Sequence, residues 1–476
     1  MERSMPGLAA EINLILRTTG AAAFPPPVPE SGRSPRFMYR EGSILVREED
    51  VGRVVEALRA RRRDGDEGYS GADEDGSQLL VLPGLVRLTL DPADGPAPEV
   101  VRALNQLSRD RLTDLDYLMV CASHPCPASE PIPVVDSEPV PPIAAAGHAC
   151  TGRGVVVSIV DTGLAPDHAQ HQWLSGGVYG DPDQLISNGN IQHYGGHGTF
   201  VAGTVRAIAP QATLFVEGSL AIIDADPTLA THGAAFSSDL SVQISEALAH
   251  RPDVMVLTFA TETIDQRSPL CFDVLYERQI QHIKGLAFLA PAANDSSQTP
   301  EFPAACSWVI GVGALNAAGD QRADFSNYGR WVDVYAPGEG LVNALTRGHY
   351  KYLDPPGAEA DFTGLAEWSG TCFSTPIVAG LIAARVSGTD ESGQQAARTL
   401  LECARAQRIP GVGPVLYPDQ ARCHIHGVCH RHGRCQTPPD GAETDRHRCC
   451  DECAECCGSQ LRTEGVRHGS TCSCHG

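Results

Sequence analysis

The sequence predicts an α/β fold with a mainly parallel β-sheet, and three observations lead to this prediction. The chain has 476 residues, which is room for one large domain and one or two smaller units. A hydrophobic content of 42% is sufficient for a sizeable core. Between residues 152 and 405, apolar strands such as 155–160 and 254–259 alternate with helix-length segments, as in parallel sheets covered by helices on both faces. A small peptide-binding module is therefore excluded.

The charge balance restricts the partners of the protein. The chain has 36 Lys and Arg against 58 Asp and Glu, a net charge of −22. Because an acidic surface repels phosphate backbones and anionic lipid head groups, we expect neither nucleic acid nor a membrane as a partner. The opening segment MERSMPGLAAEINLILRTTG is a poor secretory signal, since Glu11 and Asn13 interrupt its apolar stretch. These features predict a cytoplasmic protein.

Two segments precede the α/β domain and its linker. Residues 1–35 are rich in Ala, Pro and Gly, which predicts an irregular lead-in. Residues 36–122 carry alternating strand and helix patterns, with strands at 43–46, 85–90 and 117–122 and helices at 51–63 and 98–107. This order predicts a split βαβ, ferredoxin-like α+β domain.

The remaining boundaries follow from changes in composition. Residues 123–150 are dense in proline and are predicted to be an extended linker. Residues 151–405 form the predicted α/β domain, and residues 406–476 form a tail rich in Cys and His. Five segments are therefore expected along the chain.

Three short motifs in the α/β domain carry candidate chemistry. Asp161 follows strand 155–160 in the sequence VDTG, at the carboxyl end of a buried strand, where open α/β sheets build their sites. His197 opens a helix of small residues in GGHGTFVAG. Cys372 begins a helix in GTCFSTPIVAG, where the first amide groups of the helix can stabilise an anion. A single DTG would suit an aspartic protease only as a homodimer.

In this order, the three motifs closely resemble the signature blocks of the subtilisin-like serine proteases, over residues 152–405. The resemblance implies a three-layer sandwich and an endopeptidase of the Ser-His-Asp type that needs no cofactor for catalysis; calcium sites stay open. It implies that His197 is the general base, that Asp161 orients it, and that Asn294 donates to the oxyanion. It also implies that the segment Thr258, Phe259 and Ala260 pairs with a peptide or protein substrate as an added strand.

Position 372 departs from the family, which has a nucleophilic serine there. A thiol at a helix start beside an imidazole has a lowered pKa, which favours a thiolate–imidazolium pair. Sulfur is also larger than oxygen, and misplacement of a nucleophile slows a reaction strongly. Three explanations stay open: a natural thiol peptidase with Cys372 as nucleophile, a silent pseudoprotease that binds extended peptides, and an introduced Ser-to-Cys substitution.

The domain at 36–122 resembles the inhibitory propeptide of the same family in its position and pattern. The resemblance implies that the chain's own N-terminal domain is an intramolecular inhibitor, and that a segment near 123–133 passes through the active site. An unrelated small domain packed on the enzyme is the alternative.

The tail is a separate chemical unit, because ten of the 17 cysteines lie between Cys423 and Cys474. A six-residue Cys-His-x-His-Gly period is followed by cysteines at two-residue spacing, a pattern typical of zinc sites. The candidate ligands are Cys423, His424, His426, Cys429, Cys435, Cys450, Cys453 and Cys456. Disulfide bonds and a processed peptide are the alternatives.

Overall fold

The computed structural model describes two units that pack against each other. The residues it describes are 12, 15–26, 35–65, 78–121, 128–135, 137–144, 151–220 and 233–418. The N-terminal unit contains β1 (Ala21–Phe24), β2 (Phe37–Arg40), β3 (Ser43–Arg47), α1 (Val51–Gly65), β4 (Gln78–Leu82), β5 (Leu85–Thr89), α2 (Ala97–Gln106), β6 (Thr113–Asp114) and β7 (Tyr117–Val120).

The main sheet of the N-terminal unit has a ferredoxin-like strand order, but the strand predicted at 117–122 is not part of it. That strand, β7, lies in a second sheet with β2 and a strand of the larger unit, and β6, which was not predicted, takes its place beside β3. The strands of the main sheet are all antiparallel, in the order β4-β5-β3-β6. Helices α1 and α2, which lie where helices were predicted, bury Val54, Leu58, Val100 and Leu104 in one core with the sheet.

Two other strands of this unit differ from the expectation. The lead-in is not irregular throughout, because β1 pairs with β2 and Phe24 stacks on Phe37 with ring centroids 5.2 Å apart. Strand β4 gave no alternating signal, since its neighbours Leu79 and Leu80 are both exposed on an edge strand.

The larger unit has a seven-stranded sheet and five helices. Its strands are β8 (Ile132–Pro133), β9 (Val156–Asp161), β10 (Val178–Gly180), β11 (Ile186–Ser187), β12 (Asn190–Ile191), β13 (Thr213–Gly218), β14 (Ala234–Phe236), β15 (Val254–Leu257), β16 (Ala287–Pro291), β17 (Val309–Leu315), β18 (Val334–Pro337), β19 (Leu341–Lys351) and β20 (Glu359–Trp368). Its helices are α3 (His197–Ile208), α4 (Ser237–Ala247), α5 (Leu270–Arg278), α6 (Thr371–Gly388) and α7 (Gly393–Ala406).

The main sheet is parallel throughout, in the order β10-β13-β9-β15-β16-β17-β18. Helices α3 and α6 pack together against it, while α4 and α5 form a second pair that also contacts the N-terminal unit. The predicted α/β fold is confirmed. Within the described residues, α6 is the one helix long and apolar enough to cross a bilayer, and 83% of it is buried in the protein.

The segments flanking the larger unit pack on it more closely than expected. In the linker, β8 pairs with β20, and Val140 exchanges two backbone hydrogen bonds with Val342. After α7, Pro414 and Leu416 bond to the backbone of Tyr335 in β18, so the unit continues beyond the predicted boundary at 405. The candidate zinc ligands from Cys423 to Cys456 lie outside the described residues.

Two buried carboxylates of the N-terminal unit bind the starts of helices in the larger unit. Asp116 accepts hydrogen bonds from the Ser238 amide (3.0 Å) and hydroxyl (2.8 Å) in α4. Asp114 accepts one from the Leu270 amide (2.9 Å), the first residue of α5. Because helix starts carry unpaired amides, these hydrogen bonds join the two units and set the position of β7.

Candidate active site

Asp161 and His197 form a buried, directly bonded pair. Asp161 ends β9 as predicted, and His197 is the first residue of α3. His197 Nδ1 lies 2.8 and 2.9 Å from the two carboxylate oxygens of Asp161, and both side chains are fully buried. A Cβ on Gly198 would lie 2.4 Å from the Gly163 carbonyl oxygen, so only glycine allows α3 to approach β9 this closely.

Cys372 is the second residue of α6 and faces the same centre. It is fully buried. Burial disfavours the imidazolium, but the charges of Asp161 and Cys372 outweigh this effect, so the pKa of His197 is raised. The Ser374 hydroxyl donates instead to the Thr371 carbonyl (2.9 Å) and so does not substitute for the thiol.

Asn294 lies in the loop after β16, next to the start of α6. Its Oδ1 accepts hydrogen bonds from the amide (2.8 Å) and hydroxyl (2.9 Å) of Thr371, which fixes the orientation of the side-chain amide beside Cys372. The preceding residue, Ala293, has a positive φ of 74°, a conformation that favours glycine.

Asp183 supports the site and was missed by the sequence analysis. Its buried carboxylate accepts hydrogen bonds from the Thr162 hydroxyl (2.9 Å) and the Gly196 amide (2.7 Å), the residues that flank Asp161 and His197 in the chain. Burial raises the pKa of Asp183 to about 6. Asp183 could not be recognised from the sequence, because it is a single aspartate in the loop between β10 and β11 and belongs to no motif.

The N-terminal unit occupies a groove beside this centre. Strand β7 pairs antiparallel with β14, and the Cys121 amide donates to the Gly233 carbonyl (3.1 Å). On the other side, the Ala260 amide donates to the Val120 carbonyl (3.2 Å). An extended chain therefore lies between two backbone walls, one of which, Gly233 with β14, carried no sequence signal.

Only one of the three predicted substrate-binding residues, Ala260, is seen to bond to the chain in the groove. The Thr258 hydroxyl donates to the Val160 carbonyl within the main sheet (2.9 Å). Phe259 is fully buried and packs near Phe272, with ring centroids 6.3 Å apart. The segment was expected to pair with an extended chain through its backbone, and Ala260 makes a bond of this kind to Val120. Its role in substrate binding stays a prediction.

The last described residue of the groove-bound chain, Cys121, lies at the centre itself. Its sulfur, a ring nitrogen of His197 and a carboxylate oxygen of Asp161 all lie within 4.8 Å of one another. Beyond residues 122–127, which are outside the described part, Ser129 accepts hydrogen bonds from the Trp368 indole (2.7 Å) and the Ser369 amide (3.2 Å). The described chain thus approaches the centre from both sides.

Comparison with known proteins identifies the family. Residues 152–412 match the model of the subtilase family, peptidase S8, which is more than half of the chain. The chain belongs to the subtilase family. The fold brings together Asp161, His197 and Cys372, the last of which stands where the family has its serine.

Relatives of this subtilase are proteinases. A thermophilic serine proteinase of Bacillus sp. strain AK1 is 30% identical over 233 residues, 48% of this chain and 51% of the relative. An extracellular serine proteinase of Thermus sp. strain Rt41A is 25% identical over 66% of this chain and 69% of the relative. The chain thus spans about half the length of the first relative.

A solved structure has the same fold. The crystal structure of fervidolysin from Fervidobacterium pennivorans, a keratinolytic enzyme related to subtilisin, aligns with a TM-score of 0.53 and 18% identity. The alignment covers 80% of this subtilase and 61% of fervidolysin. It supports the shared fold alone.

The comparisons contradict the predicted cytoplasmic location. One relative that matches 66% of this subtilase is an extracellular proteinase. The weak secretory signal in the opening segment was the basis of that prediction, and it is not a sufficient one.

Proposed function

We propose that this subtilase is an endopeptidase in which Cys372 is the nucleophile, His197 the general base, Asp161 its orienting partner and Asn294 an oxyanion donor. The observation that carries the proposal is the buried Asp161–His197 pair beside the thiol at the start of α6. Its nitrogen–oxygen distance of 2.8 Å suits a carboxylate that fixes one tautomer of the imidazole.

The proposed reaction has two steps. His197 accepts the thiol proton, and the Cys372 sulfur attacks the carbonyl carbon to form a tetrahedral intermediate whose oxyanion lies near the Asn294 amide. The C–N bond then breaks as His197 protonates the leaving amine, which leaves a thioester. Water, deprotonated by His197, hydrolyses the thioester and returns the sulfur as a thiolate.

The substrate is proposed to be a peptide or protein segment in extended conformation. The hydrogen bonds that Val120 and Cys121 make to Ala260 and Gly233 support this class of substrate. They are all main-chain bonds, so an incoming peptide can make the same bonds whatever its side chains are.

We further propose that residues 36–122 are an intramolecular inhibitor, joined by the linker to the peptidase unit that begins at residue 151. Two observations support this role: strand β7 lies in the groove, and Asp116 and Asp114 of the N-terminal unit bind the starts of α4 and α5. A bond in the stretch 122–128 is the expected self-cleavage site. Prolines make residues 122–128 a poor partner for backbone pairing in the groove. Because this stretch is tethered to the peptidase unit, its effective concentration at the active site is high, which compensates for weak pairing.

We expect no cofactor in catalysis. We retain the proposal that tail residues between Cys423 and Cys456 bind zinc. Calcium sites are not part of the proposal.

Intact mass after one day at neutral pH tests the peptidase proposal. The chain is compared with Cys372→Ser, which restores the family's nucleophile, and with Cys372→Ala, which has none. We expect the chain and the serine variant to lose the N-terminal segment with a cut between 121 and 129, while the alanine variant stays whole.

Two results would contradict the proposal. Cleavage of the alanine variant at the same rate would show that another protease makes the cut. Cleavage of the serine variant alone would show that cysteine silences the scaffold, and would favour the alternative of a pseudoprotease that binds extended peptides without turnover.

Docking of the N-terminal unit is expected to weaken as the pH rises. Burial raises the pKa of Asp114 to about 6 from its ordinary value of 3.8, against the opposing charge of Arg111. The docked carboxyl group therefore holds a proton more tightly than the released one, so docking loses stability between pH 3.8 and about pH 6. Tyr117 and Asp265 also act on this group, and Asp273 binds the same Arg111.

Hydrogen exchange of the Leu270 amide, corrected for its intrinsic rate, measures this opening in the uncut Cys372→Ala chain. From pH 4 to pH 7 we expect opening to increase up to about a hundredfold. Asp114→Asn, which does not titrate, should reduce this increase. Opening that is favoured by acid instead would show that the sign is wrong.

A further inference from the structure

The active centre contains a thiol, that of Cys121, which could bind a metal ion and which peptide hydrolysis does not use. Cys121 is fully buried and belongs to the N-terminal unit, yet its sulfur lies within 4.8 Å of ligand atoms of Asp161 and His197 in the larger unit. His197 Nε2 is also buried, on the side of the imidazole away from Asp161. Cys372, the second residue of α6, is hydrogen-bonded to His197 through its side chain and places a second sulfur beside the imidazole.

This set of donors suits zinc. Zn²⁺ prefers thiolate sulfur and imidazole nitrogen in a tetrahedral arrangement. A histidine that binds zinc commonly donates its other N–H to a carboxylate, which is the arrangement that Asp161 and His197 already have. Asp161 therefore acts on the outer side of the imidazole and leaves Nε2 as the atom directed at a metal.

We propose that Cys121, His197 and Cys372 bind one Zn²⁺ ion, which joins the N-terminal unit to the active centre and keeps the peptidase inactive. The inference concerns the regulation of the proposed peptidase site and rests on that function. Binding of Zn²⁺ releases two protons, one from Cys121 and one from the Cys372–His197 pair. The metal then occupies both the nucleophile and the general base, so attack on a carbonyl stops.

Native mass spectrometry of the full chain, loaded with Zn²⁺ and dialysed, counts the bound ions. Cys121→Ser should carry one zinc fewer than the original chain. The matched control is Cys306→Ser, a buried thiol whose hydrogen bond to Ser268 a hydroxyl can keep. The control should keep the full count, and the tail ligands are common to all three proteins and cancel in the comparison.

Self-cleavage supplies the second readout. For each protein, the rate of self-cleavage with a chelator is divided by the rate with Zn²⁺. Half-inhibition of Cys121→Ser should need a zinc concentration at least about tenfold higher than half-inhibition of the original chain. Equal zinc counts and equal ratios in the original chain and in Cys121→Ser would overturn the inference.

The outcomes separate this inference from the peptidase proposal. If no form of the chain cuts itself, the peptidase proposal fails and the zinc count still decides the inference. If Cys121→Ser does not fold, Cys121→Ala removes the sulfur without adding a polar group at a buried position.

Discussion

Self-cleavage of the Asp161→Asn chain is expected to be about 10⁴-fold slower than that of the original chain. The substitution keeps the size and shape of the side chain. Asparagine, however, presents an NH₂ group or a neutral carbonyl to Nδ1, where the carboxylate now accepts from it at 2.8 and 2.9 Å. With the NH₂ group facing it, Nδ1 loses its proton and Nε2 gains one, so His197 no longer accepts the proton of Cys372.

The rate is measured from the appearance of the shortened chain by intact mass over several days. Asp167→Asn is the matched control, because Asp167 binds Thr346 and Arg347 outside the centre. The control should cut at a rate close to that of the original chain. A loss smaller than about tenfold in Asp161→Asn would argue against a general base at His197.

Loss of the Asp116 carboxylate is expected to release the N-terminal unit. Asp116 is fully buried and binds Arg40 (2.8 Å) within its own unit as well as the start of α4. Removal of one partner from a buried charged network costs about 3–5 kcal/mol. In Asp116→Ala the groove should therefore open at least about a hundredfold more often.

The opening is measured as the rate at which iodoacetamide alkylates Cys372 in the full chain. The slow Asp161→Asn background keeps all the proteins uncut. Asp239→Ala is the control, because Asp239 binds the same Arg40 from an exposed position, where an ion pair contributes little. If the two substitutions accelerate alkylation equally, the buried carboxylate does not hold the unit.

The fold and the centre could be predicted because their signals are local. Asp161 ends a largely apolar strand, and His197 and Cys372 each lie at the start of a helix with small residues close by. The apolar face of α1 also has a clear helical period. Such patterns are visible in a few consecutive residues and do not depend on distant contacts.

Only one wall of the groove, the segment 258–260, was predicted, and it was predicted from the family resemblance, because the groove binds through the backbone. Gly233 and Ala260 bond to the chain with main-chain groups, which leave no mark in residue type. Cys121 and Asp183 reach the centre only through tertiary packing, so neither residue can be recognised from its spacing to the motifs in the sequence.

The sheet β1-β2-β7-β14 spans both units, and its shared pairing carries a risk for solubility. When the N-terminal unit departs, β7 and β14 each lose a partner and become open edges. Open edges are templates for association with other chains. The released unit would also expose Leu118 and Val120, which are now buried against Phe236. Activation at high protein concentration should therefore be accompanied by aggregation of the released unit, unless it is degraded as fast as it appears.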